Sequence, residues 1–159
     1  MNPFDNAPDE LKALKRWMLW KYSETGTKLP IRLDGTPGSS TDPEAWCSFE
    51  DAVRSAIYYA GIAFVIDDPY TGIDLDNCFD EKGNLRSWAL PIISRLDQIG
   101  YAEISPSGNG IKFIVRARKK AGSKCVKKFG PNKQQMEVYD HARFWTITGD
   151  IYGGNREIR

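Results

Sequence analysis

At 159 residues, 41% of them apolar and 12% aromatic, the chain is long enough to bury a core, and no stretch reads as low-complexity or disordered. Twenty-two lysines and arginines balance 21 acids to a net charge of +1, so bulk charge identifies no partner. One histidine rules out a multi-histidine metal site, three scattered cysteines rule out a C-x-x-C zinc site or a disulfide framework, and apolar runs of at most five residues are too short to span a membrane.

Residues 8–14 read as a short helix with Asn6 or Asp5 as cap and Pro8 in the first turn. Trp17 to Tyr22 is an aromatic-rich buried strand, and turn residues 34–40 follow a short strand over 29–33. Ser48 caps a helix running to about residue 60, with Asp51 at its third position. Gly61 to Ile66 is a strand, followed by a second strand over 72–76. Residues 87–99 form an amphipathic helix, with Leu90, Ile93 and Leu96 on one face and Pro91 near its start. Four more strands are expected over 101–104, 111–116, 135–139 and 143–148. The predicted class is α+β on a mostly antiparallel sheet, in one domain over 1–159. The first residues have neither a basic nor an apolar leader region, so a cytoplasmic protein is the expectation.

Strict alternation in Ile73-Asp74-Leu75-Asp76 turns two apolar side chains to one face of a strand and two carboxylates to the other. Carboxylates two residues apart are separated by roughly 6.5 Å, a spacing that lets them share two cations about 3.5–4 Å apart. Only hard ions, magnesium or manganese, suit such oxygen ligands. An exposed strand edge carries the same pattern, so the pair alone leaves both readings open. An EF-hand loop fails, because Cys78 and Phe79 stand where an oxygen ligand and a glycine are required. Glu137, flanked by Met136 and Val138, supplies a third carboxylate on another strand.

Ser105, Ser107, Gly108 and Gly110 lie in a loop between two strands, where backbone amides and hydroxyls can meet a phosphate. Lys112 follows on the outgoing strand and Arg143 opens the last one; both are cations fit for phosphates, with Lys28 a further candidate. The loop lacks the Walker pattern. Between Ile104 and Met136 there are nine basic residues and no acid, as in a chain that touches a polyanion. A solvated lysine-rich loop gives the same run of charge. Trp17, Trp20, Tyr22, Trp46 and Trp145 could stack bases, but most belong to a core.

The order of these motifs resembles the primase-polymerase domain of the archaeo-eukaryotic primase superfamily, in its phage and plasmid replication branch. The resemblance runs from residues 8–20 through 28–30, 40–46, 72–76 and 105–112 to 137–149. It implies a small N-terminal αβ unit on a catalytic unit like an RNA-recognition motif. Asp74, Asp76 and Glu137 become metal ligands, and Ser105, Ser107, Gly108, Gly110 and Lys112 contact the incoming nucleotide, with Arg143 assisting. The implied function is template-dependent DNA priming or polymerisation with Mg2+ or Mn2+ on a DNA template and primer. Nucleoside triphosphates are the substrates, and a fused or separate replicative helicase is the implied partner. Many relatives carry histidine where Lys112 stands; lysine keeps the cation but not a proton that titrates near neutral pH. The alternatives are an inactive nucleic-acid-binding module of replication and a metal-dependent nuclease.

Overall fold

In the segment Trp17–Tyr22 (β1), Trp17 and Leu19 turn toward one side and Met18 and Trp20 toward the other, and all four are buried. A strand apolar on both faces must be covered on both. β1 pairs on one side with Lys28–Ile31 (β2) and on the other with Gly61–Ile66 (β3), which is buried throughout. The fourth strand of this sheet is Arg143–Ile147 (β9), from the far end of the chain, giving the order β2-β1-β3-β9. A second sheet has the order β5-β6-β4-β8-β7, from Tyr70–Asp76 (β4), Tyr101–Ile104 (β5), Ile111–Arg116 (β6), Val126–Lys128 (β7) and Gln135–Tyr139 (β8). Every strand pairing among the described residues is antiparallel. The computed structural model describes residues 1–154 and 156–159.

The α+β class holds, but on two sheets rather than one. The N-terminal strands do not form a sheet by themselves, because β9 completes it. β3 and β4, adjacent in sequence, belong to different sheets. Five strand ranges, 17–22, 61–66, 101–104, 111–116 and 135–139, coincide with expectation. β7 was not legible, since its three residues are all exposed and show no alternation.

Three helix readings change. The helix Asp9–Lys12 (α1) begins after Pro8 and has no side-chain cap; Asn6 instead donates its amide to the Gly149 carbonyl at 2.9 Å. In the helix Phe49–Ser55 (α2), the Ser48 hydroxyl accepts the Asp51 amide at 3.1 Å, as the sequence indicated. It tightens into a 3-10 turn over Ala56–Tyr58 rather than running to 60, because the Ala60 amide is already bonded to the Trp20 carbonyl. The helix Leu90–Leu96 (α3) is shorter than 87–99, because Pro91 is tolerated only in a first turn.

Ile73, Leu75, Ile111, Phe113 and Val115 on one face of the second sheet pack with Ile93 of α3 and with Ala89 just before it. On the other face, Tyr101 and Ile114 share a core with Trp17, Leu19, Phe64, Trp145 and Ile147 of the first sheet. Burying a side chain such as Phe64 stabilises by about 1.5–3 kcal/mol. Among the described residues no helix is long and apolar enough to cross a membrane.

Candidate active site

β4 is the central strand of its sheet, not an edge. Its register sets Asp74 directly opposite Lys112 on β6 and Glu137 on β8, while Lys112 stands opposite Glu103 on β5. Opposed residues of antiparallel strands have Cα atoms about 4.5–5.5 Å apart and point to one face. One row therefore crosses four strands in the order Glu103, Lys112, Asp74, Glu137. The next row places Asp76 opposite Gln135.

Ile73 and Leu75 face the core by α3, as the alternation required. The carboxylate face is not open to water along its length, since the first sheet covers part of it. Asp74 and Asp76 are consequently half-buried. Asp74 Oδ1 is fully buried and has no hydrogen-bond partner among the described residues. Burial pushes the Asp74 carboxyl up to about 6; Lys112 opposes the shift, and Asp76 and Glu137 add to it. Asp76 is raised as well, again first by burial and then by Glu137, with Lys28, Lys112 and Lys133 opposing. A buried, orphaned carboxylate oxygen beside two further acids is a site that a cation would satisfy.

Among the described residues no three His, Cys, Asp or Glu side chains form a metal cage on their own. Glu137 Oε1 accepts a hydrogen bond from Gln135 Nε2 at 2.8 Å. This donor set still fits magnesium or manganese, which commonly take one or two protein carboxylates and complete their shell with water and substrate phosphates.

A cleft of about 380 Å³ opens over Asp74, Lys112 and Glu137. Thr27 and Lys28 at the start of β2, Ser40, Tyr139 and residues 142–146 also line it. The Arg143 guanidinium lies over the Tyr139 ring at 4.0 Å. Lys112 is 5% exposed; its Nζ donates to Thr146 Oγ1 at 2.8 Å and lies 4.3 Å from the centre of the Trp145 ring. Burial lowers the Lys112 ammonium, against the pull of Asp74, Glu103 and Asp76. Glu103 is 1% exposed and accepts from the Tyr101 hydroxyl at 2.8 Å and from the amides of Thr148 and Gly149 at 2.8 and 3.0 Å. Burial raises its carboxyl despite these bonds.

The structure thus brings Asp74, Glu137, Lys112 and Arg143 to one cleft, with Asp76 one row along the same face. Ser105, Ser107, Gly108 and Gly110 do not line that cleft. Their loop docks just past Asp76, where the Asn109 carbonyl accepts the Cys78 amide. Three of the loop's amides are engaged internally: Gly108 to the Ser105 carbonyl, Asn109 to the Ser107 hydroxyl and Gly110 to the Ser105 hydroxyl. A phosphate there would meet hydroxyls first and compete for these amides. Trp17 and Trp20 are core, and Tyr22 is 51% exposed.

Sequence reasoning passed over Glu103, Gln135, Tyr139 and Thr146. Glu103 was within reach: folding the hairpin about the loop at 105–110 sets it against Lys112. Thr146 was not, because its role depends on β9 crossing to the other sheet.

No family model matches the chain. The DNA primase-polymerase of Nitratiruptor phage NrS-1 is 35% identical over 158 residues, covering 94% of this chain and 21% of the phage protein. The chain therefore spans about a fifth of that relative's length. Over nearly all of its residues the chain is thus similar to part of a phage DNA primase-polymerase, which supports a domain of that type.

Proposed function

We propose that the chain is the nucleotidyl-transfer unit of a template-dependent DNA primase or polymerase, with Asp74, Asp76 and Glu137 as its metal ligands. The observation that carries this reading is Asp74 Oδ1, buried without a partner among the described residues, on a central strand between Lys112 and Glu137. The named phage relative supports the class of activity. Magnesium or manganese held there would neutralise triphosphate charge and stabilise the attacking and leaving oxygens of an in-line displacement at phosphorus.

The chain's own residues supply the remainder. Lys112 presents a fixed ammonium at the cleft floor, because Thr146 holds its Nζ and Trp145 supports it. Lys28 and Arg143 both line the cleft and would bind phosphate oxygens. The Arg143 guanidinium, lying over Tyr139, carries the planar donor pair that suits a phosphate. Asp76 and the Ser105 and Ser107 hydroxyls extend the polar face toward the loop end. Primer extension with magnesium or manganese tests the reading, comparing the chain with Asp74→Ala and Asp76→Ala. Loss of extension in both variants is expected; equal extension by the double variant overturns it. Shortened strands without added nucleotides would indicate hydrolysis instead.

A further inference from the structure

The nine basic residues between positions 104 and 136 divide sharply by partner. Arg116 pairs with Glu10 and Arg118 with Asp68. Lys112 is buried in the cleft, and Lys119 Nζ donates to the backbone and hydroxyl of Ser123. Lys120, Lys124, Lys127, Lys128 and Lys133 are exposed, and none makes an ion pair among the described residues. Lys127 and Lys128 lie on β7, the edge strand of the second sheet, and Lys124 lies two residues before its start.

This edge is coupled to the cleft by register. Lys128 stands opposite Gln135, which stands opposite Asp76; Val126 stands opposite Glu137, which stands opposite Asp74. Two strand spacings put the Lys128 backbone about 10 Å from that of Asp76, on the same face. Lys133 acts electrostatically on Asp76 itself. On the other face, Lys127 Nζ lies 5.2 Å from the Phe129 ring, which stacks flat on Trp88 at 4.6 Å.

We propose that the β7 edge, with Lys124, Lys127 and Lys128 at its centre, binds the sugar-phosphate backbone of the nucleic-acid strand that enters the cleft. The inference rests on the polymerase reading of that cleft. Its occupant is a polyanion because these exposed lysines have no ion-pair partner among the described residues and positions 104–136 hold no acid. Lysines on an edge strand also serve to keep copies of a chain from pairing edge to edge. The two roles separate on charge: a reversed charge still repels a second copy but expels a phosphate backbone.

The test measures binding of a fluorescent single-stranded DNA across a salt series. Three Lys→Gln changes at 124, 127 and 128 are expected to reduce the log–log salt slope by about 2 and to weaken low-salt binding by about tenfold or more. The Lys127→Glu/Lys128→Glu variant is expected to lose binding while staying monomeric, and Lys→Arg at all three positions to keep it. Manganese-dependent nucleotide binding in the cleft serves as the separate readout and is expected to be unchanged in every variant. Unchanged affinity and slope in the Gln and Glu variants overturn the proposal. Lost DNA binding with nucleotide binding absent from the parent chain as well would keep the surface and overturn the polymerase reading.

Discussion

The indole of Trp145 occupies the space that a side chain at position 72 would need: a Cβ there would come within 2.9 Å of Cε2 and Cζ2. Gly72 lies two residues before Asp74 on the same face, so the absence of a side chain lets β9 close over the carboxylate strand. The same Trp145 ring supports Lys112 Nζ. Gly72→Ala is expected to destabilise the fold by about 1–3 kcal/mol through overpacking and to weaken nucleotide binding by displacing Lys112. Chemical denaturation and a nucleotide titration check both effects.

The raised Asp74 carboxyl makes its charge costly while no cation is present. Its folded value, about 6, exceeds the usual carboxylate value of 3.8. A raised group stabilises the fold below its unfolded value and loses that contribution as pH rises through the folded one. Without divalent metal, wild type should therefore lose about 1–3 kcal/mol relative to Asp74→Asn between pH 4 and pH 7. Manganese is expected to raise the thermal midpoint of wild type at pH 7 and to leave that of the Asn variant unchanged.

Lys112 lies between Glu103 and Asp74, so deleting its charge strands two acids in a covered region. Lys112→Met should cost about 3–5 kcal/mol. Adding Glu103→Gln should restore part of the loss, because the two residues face each other across β5 and β6. Urea unfolding of the two single variants and the double variant measures the coupling, and strictly additive losses would contradict it.

The Ser48 cap is remote from the cleft. Ser48→Ala is expected to lower stability by about 1 kcal/mol, as loss of the bond to the Asp51 amide predicts. Nucleotide affinity should not change. The variant provides a control that separates general loss of stability from damage to the site.

Local chemistry in the sequence determined most strands, the α2 cap and the division of residues 73–76 into two faces. These depend on alternation and short-range hydrogen bonds, which contiguous residues carry. The trio of carboxylates and its cations could be named from residue types and their order. Only tertiary structure decided that β4 is central and that its acidic face is half-covered, because strand order depends on contacts far apart in sequence. It also decided that Thr146 and Trp145 fix Lys112, and that the Ser105–Gly110 loop keeps three of its amides to itself. The orphaned oxygen of Asp74 arises from that burial, which no local pattern encodes.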